Sequence, residues 1–225
     1  MFERFRALFS SDSLLDEAYD TTVKMLEFDH QMYRDSHRIL RASDTNELPY
    51  DFKEADRRIN KFEREVRRKV LTHLTVTSQR NLVPGLVLTT IVIDVERLGD
   101  FTKNIAGLVG SQAARLRGGP HEEGLKRIEE AIEKEFPEAI EILKNQDEEK
   151  AAAIVDQEPF VAETANGVID ALVAGEHDTL SGAEAVRLAL YTRYLKRINA
   201  HLTNIASSIV NPFPRIGFRS KKPRH

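Results

Sequence analysis

Val-Glu-Arg-Leu-Gly-Asp-Phe-Thr-Lys-Asn-Ile-Ala runs from Val95 to Ala106, and Leu-Lys-Arg-Ile-Asn-Ala-His-Leu-Thr-Asn-Ile-Ala runs from Leu195 to Ala206. The two stretches share Arg97/Arg197, Asn104/Asn204, Ile105/Ile205 and Ala106/Ala206, with apolar residues at Val95/Leu195 and Leu98/Ile198. The same offset aligns Asp56 with Asp156 and Glu63 with Glu163 without a gap. Self-similarity at a fixed offset marks one supersecondary unit used twice. The copies differ in charge: Glu96 and Asp100 of the first become Lys196 and Ala200 in the second.

Both copies sit on helical seams. Ile91, Val95, Leu98, Thr102, Ile105 and Val109 alternate by four and three, as do Tyr191, Leu195, Ile198, Leu202, Ile205 and Ile209. That spacing is the apolar stripe of helices crossing at about 20° in antiparallel bundles. Outward from the seams, breakers cut the chain into six long periodic segments. These run from about Asp12 to Arg41, Asp51 to Val76, Ser78 to Arg117, Glu122 to Asn145, Glu148 to Ala174 and Ser181 to Asn211. Pro84 is tolerable in a first turn, whereas Pro137 and Pro159 are expected to kink or interrupt their helices. Ser181 followed by Glu184 has the spacing of a capping box.

Gly118-Gly119-Pro120 is the strongest punctuation. The expectation is an all-α chain of two tandem antiparallel three-helix bundles, 1–117 and 121–211, followed by a basic tail over 212–225. No segment alternates as a strand would.

The 225 residues carry 31% charged and 7% aromatic side chains, a composition that favours helix, and a net charge of -3, which argues against a dedicated nucleic-acid binder. With no cysteine, disulfides and thiolate metal sites are excluded, so any metal must be held by oxygen or imidazole. No apolar run approaches a membrane span, and Met-Phe-Glu-Arg-Phe-Arg lacks the apolar core of a secretory signal, so a cytoplasmic location is expected. Phe2, Phe5, Leu8 and Phe9 form a stripe suited to packing on the body or docking on a surface. Arg215, Arg219, Lys221, Lys222 and Arg224, with no acid among them, suit solvent or an anionic lipid surface, hence a peripheral membrane contact.

The chemistry-bearing candidates are carboxylates. Glu96 and Asp100 share one side of their helix, and Asn104 continues the line; Asp56, Asn60 and Glu63 form another at i, i+4 and i+7. Should the two helices pack along these lines, several acids converge and call for cations. The alternative is solvated charges paired with Arg97, Lys103, Arg57 and Arg64. Gly99, costing roughly 1 kcal/mol inside a helix, implies close approach of another helix or an ion. Glu27-Phe-Asp-His30 matches only half of a di-iron Glu-x-x-His pair, and no second motif completes it. Phosphate-binding glycine loops, zinc-protease motifs and nucleophile elbows are absent, so the chain does not read as an enzyme.

Val95 to Ala106 closely resembles the third-helix signature of the PhoU family, Leu-Glu-Arg-Ile-Gly-Asp-His-Ala-x-Asn-Ile-Ala, and Leu195 to Ala206 resembles its sixth-helix copy. The resemblance covers the helical body, about Asp12 to Asn211. It implies two similar three-helix bundles and a regulator of phosphate uptake and signalling that contacts a membrane phosphate transporter and a sensor kinase. Peripheral association through the partner and a homodimer go with that expectation.

The resemblance also implies an iron or zinc site, other divalent cations being open, on Glu96, Asp100 and Asp56; the i, i+4, i+7 spacing adds Asn60 and Glu63 as further candidates. In the second half Asp156 and Glu163 lack acidic partners, and the Lys196 ammonium is expected to stand near them in place of a cation. The competing readings are a metal-binding bundle for storage or redox and an accessory subunit of another transporter class.

Overall fold

The computed structural model describes residues 14–76 and 81–218. Among these are six α-helices and no strand: α1 Leu14–Ala42, α2 Phe52–Val76, α3 Leu82–Ser111, α4 Glu122–Asn145, α5 Glu148–Val173 and α6 Gly182–Val210. Helix α1 packs on α2 and α3, α2 on α3, and the second half repeats the plan with α4, α5 and α6. The halves meet along α3–α6 and α1–α4, and their apolar side chains form one continuous core. Tyr33, Phe136 and Tyr191 are its largest fully buried members.

The hundred-residue register holds in three dimensions for α3 and α6 but not for α2 and α5, where Val66 and Val70 are buried while Asn166 and Asp170 are exposed. From 91 to 100 and from 191 to 200 every pair of positions has the same burial class except 94 and 194. Leu98 and Ile198 are both 0% exposed, which is what a seam in one rotational setting demands. The two helices cross the interface antiparallel: Asp94 lies beside His201 and Asn204, while Leu108, fourteen residues on, meets Arg187.

Among the described residues, local side-chain caps set three of the six helix starts. Asp51 Oδ1 accepts from the Lys53 amide at 2.8 Å, and Asp147 Oδ1 from the Lys150 amide at 3.0 Å. Ser181 and Glu184 form the expected reciprocal box. Each satisfies amides that a helix start leaves unpaired. Neither Pro137 nor Pro159 interrupts its helix. Each ring forfeits one backbone hydrogen bond, while flanking Phe136 and Ala139, and Val155 and Val161, are locked in the core.

Helix α3 stops at Ser111, six residues short of the expected Arg117. Tertiary contacts end it. The Arg187 guanidinium donates to the carbonyls of Leu108 at 3.2 Å and Ala114 at 3.1 Å and to Gln112 Oε1 at 3.0 Å. Beyond, the chain is pinned across α1: the Leu116 amide donates to the Leu40 carbonyl at 2.7 Å, and Arg115 grips Asp44.

No described helix is long and apolar enough to cross a membrane. The Phe-rich start, Asp12, Ser78 and the basic tail from Arg219 lie outside the described residues.

Candidate cation site and its counterpart

Helices α2 and α3 bring their acid lines together. Asp56, Asn60 and Glu63 face Glu96 and Asp100, and all five are half-buried. Lys103, one turn beyond Asp100, places its ammonium between the helices, donating to Asp56 Oδ1 at 2.6 Å and Asp100 Oδ1 at 2.9 Å. Arg97 Nη1 donates to Asp100 Oδ2 at 3.1 Å, and its Nε lies 3.5 Å from Glu96 Oε2. Glu63 pairs with Arg67 at 2.8 Å. The Asn60 amide is spent on its own helix, donating to the Asp56 carbonyl at 2.9 Å. Asn104 is exposed. Two of the four cations expected as neutralising partners, Arg97 and Lys103, do hold the acids of α3.

The neutralisation is incomplete. Glu96 titrates above its ordinary range, first because burial disfavours its charge, then because Asp100 repels it, with Arg97 opposing. Beneath this surface lies a residue that spacing within α2 and α3 could not reveal. Asp29, on α1, is 0% exposed, and neither carboxylate oxygen has a hydrogen-bond partner. Burial pushes its carboxyl well up, with Glu96 and Asp100 adding repulsion. A Cβ at Gly99 would stand 2.5 Å from Ile59 Cδ1 and 3.0 Å from Asp29 Oδ1. Close approach of the other two helices therefore accounts for a glycine inside α3.

As a test of fit for a cation, these observations divide. The orphaned Asp29 oxygens, the glycine cradle and the oxygen-only donors suit a hard or borderline ion. In the present side-chain arrangement, however, no three described carboxylate or imidazole residues are grouped to hold a metal, and Lys103 fills the gap between Asp56 and Asp100.

The second half solves the same problem with neutral groups. Asn199, the counterpart of Gly99, donates its amide to Glu135 Oε2 at 2.6 Å, both residues being 0% exposed. Burial pushes Glu135 up to about 8. Lys196 donates to Asn166 Oδ1 at 2.6 Å. The expected pairing of Lys196 with Asp156 or Glu163 is not formed: both acids are exposed, and no ion pair links them to Lys196 among the described residues. On the matching helix pair of the first half it is Lys103 whose ammonium bridges two carboxylates.

Two further polar clusters hold the halves together. Asp94 Oδ1 accepts from Asn204 at 2.9 Å and contacts His201 Nδ1 at 2.8 Å. Arg41 reaches Glu122 at 2.5 Å and Glu129 at 2.7 Å, and the Tyr191 hydroxyl donates to Glu129 at 3.0 Å. Burial raises Glu129 to about 7 against the pull of Arg41. It lowers His37, 3.3 Å from Glu133, to about 4, with Arg41 adding repulsion. The half di-iron motif dissolves: Glu27 pairs with Lys144 at 2.5 Å, and the His30 ring stacks on Phe136. The sequence carried a signal for Asp29, an acid at helical spacing between buried Met25 and Met32. Arg187, four residues before Tyr191 on the seam of α6, carried a similar one.

Comparison with known proteins agrees with this architecture. The PhoU domain family model matches residues 22–109 and 125–209, one match per bundle. The structure is similar to that of PhoU from Pseudomonas aeruginosa, with a TM-score of 0.78, 19% identity, and coverage of 88% of this chain and 95% of that one. It is also similar to the phosphate transport system regulatory protein PhoU from Streptococcus pneumoniae, with a TM-score of 0.73, 16% identity, and coverage of 87% and 93%. At such identities these likenesses speak for the fold. No curated protein is a significant match.

Proposed function

The chain belongs to the PhoU domain family, and from that premise we propose that it regulates phosphate uptake and phosphate signalling by binding rather than by catalysis. Its partners in this reading are a membrane phosphate transporter and a sensor kinase. The observation that carries the reading is the family match over both bundles, with a structural likeness that spans nearly the whole of a phosphate transport system regulatory protein. The absence of a nucleophile–base constellation from the sequence motifs is in keeping with it. A deletion strain tests it directly. Loss of the chain should derepress a phosphate-starvation reporter in phosphate-replete medium, and the transporter should be captured by crosslinking with the tagged chain. Normal repression together with no transporter in the crosslinked product would refute it.

The reading extends to a divalent cation, iron or zinc by family resemblance, held on the first bundle by Glu96, Asp100, Asp56 and Glu63. Carboxylates this close, two of them repelling as Glu96 and Asp100 do, are what a cation relieves. Such an ion would supply fixed positive charge, and it would have to displace the Lys103 ammonium from Asp56 and Asp100. Asn60, turned onto its own backbone, is a bystander. Metal analysis of the intact protein and of the Glu96→Gln/Asp100→Asn variant tests this; equal metal content in the two would overturn it.

A further inference from the structure

The flank helices of the two bundles carry opposite charge. Helix α2, packed on α1 and α3, has eight lysines and arginines against four acids, whereas α5, packed on α4 and α6, has one lysine against six acids. On α2 the excess is ordered. Arg57, Lys61, Arg64 and Arg68 follow one another by four, three and four residues, a single line over about 16 Å of helix. All four are exposed, on the side opposite buried Ala55, Ile59, Val66 and Val70. None of them forms an ion pair or a side-chain hydrogen bond among the described residues. Three other cations of α2 do find partners: Arg67 pairs with Glu63, Lys69 with Glu17 and Glu65, and the Arg58 guanidinium lies 4.3 Å from the centre of the Phe28 ring.

The line continues into carbon. Leu71, three residues beyond Arg68 on the same side, is 66% exposed, and Val76 at the helix end is 75% exposed. Leu82 and Val83, 47% and 52% exposed, open α3 at that same end, where its first turn lies against α2: a Cβ at Gly85 would stand 3.0 Å from Leu74 Cδ1 and 3.2 Å from Val70 Cγ1. Neither feature helps the isolated fold, since like charges along a helix repel and clustered bare aliphatics stay hydrated. An acidic protein would need a groove shaped to this convex flank. A lipid surface is flat, with anions at its face and hydrocarbon just beneath, and so matches both parts of the row. We propose that the α2 flank, through Arg57, Lys61, Arg64 and Arg68 with Leu71 and Val76 at its tip, docks the chain directly on an anionic lipid surface. Helix α5, with Asp156, Glu163 and Asp170 exposed, is repelled by the same surface and faces away from it.

This docking goes beyond the regulatory reading, and its test needs no transporter. The purified full chain is sedimented with vesicles of phosphatidylcholine alone and of equal parts phosphatidylcholine and phosphatidylglycerol. The wild type should bind only the anionic vesicles and leave them as salt is raised. The variant Arg57→Gln/Lys61→Gln/Arg64→Gln/Arg68→Gln should bind about a hundredfold or more weakly, each cation at such a surface being worth roughly a fivefold factor. An unchanged thermal melt by circular dichroism shows that these exposed changes keep the fold. Glutamine at Arg219, Lys221, Lys222 and Arg224 of the tail should instead leave most of the binding in place. The chain has no tryptophan, so Leu71→Trp reports on its own site: its emission should shift to the blue on anionic vesicles and be quenched by brominated acyl chains.

If the quadruple α2 variant binds as tightly as the wild type, or if only the tail variant loses binding, α2 is not the docking face and the proposal falls. It falls equally if the tryptophan emission does not move, because the tip then stays out of the bilayer. A wild type that binds neither kind of vesicle overturns it as well; self-association at low salt, lost in the quadruple variant, would then assign the face to α5 of a second copy.

Discussion

Gly99→Ala is the sharpest probe of how the first bundle is built. In a generic helix interior this change stabilises by about 1 kcal/mol, since alanine restricts the unfolded chain and glycine does not. Here the new methyl would stand 2.5 Å from Ile59 Cδ1 and 3.0 Å from Asp29 Oδ1. Real side chains do not tolerate the first distance, and overpacking a core costs about 1–3 kcal/mol. The expected net effect is a loss of about 0–2 kcal/mol, opposite in sign to the propensity term.

Ile59→Val removes the offending Cδ1 and leaves Cγ2, which at 3.2 Å needs only a small shift. Alone, that truncation should cost about 0.5–1.5 kcal/mol. Combined with Gly99→Ala it should recover stability, giving a coupling of about 1–2 kcal/mol. Urea unfolding of the four proteins, with the slope checked for constancy, measures the cycle. A Gly99→Ala variant about 1 kcal/mol more stable than the parent, or a strictly additive double variant, would refute the close-approach argument.

Glu135 is held up to about 8 by burial, so on unfolding it releases a proton between its unfolded value and 8. It therefore removes stability as pH rises through that window, at about 1.4 kcal/mol per unit. Glu135→Gln should flatten the fall in stability between pH 5 and 8 by about one proton, and an unchanged slope in urea melts would count against a buried, proton-holding acid. Arg187→Met should cost about 2–4 kcal/mol, because carbonyls of Leu108 and Ala114 lose a charged donor. Hydrogen exchange should also quicken at the end of α3, and parental stability would show that the arginine does not terminate the helix. Lys103→Met should cost no more than about 1 kcal/mol at a partly exposed site, yet tighten Mn2+ or Zn2+ binding by removing the competing ammonium. Weaker binding would mean that Lys103 supports the site instead.

By itself the sequence determined the helical class, the duplication, the hundred-residue correspondence of α3 with α6 and the capping box at Ser181. These depend on interactions within a few residues: an apolar period of about 3.6 turns one face inward, and a capping oxygen reaches amides two or three positions away. It also displayed the asymmetry of Glu96/Asp100 against Lys196/Ala200, since residue identity needs no coordinates. Tertiary structure alone decided which acids meet which cations. Lys103 rather than Lys196 bridges two carboxylates, because a long flexible side chain goes to whatever neighbour the packing of another helix supplies. Arg187 ends α3 from seventy-odd residues away. The spacing of Asp29 between Met25 and Met32 puts it on the apolar side of α1, but only the fold sets it, fully buried, against Gly99, because the cost of a charge is fixed by its dielectric surroundings and partners, and those come from three helices that packing brings together.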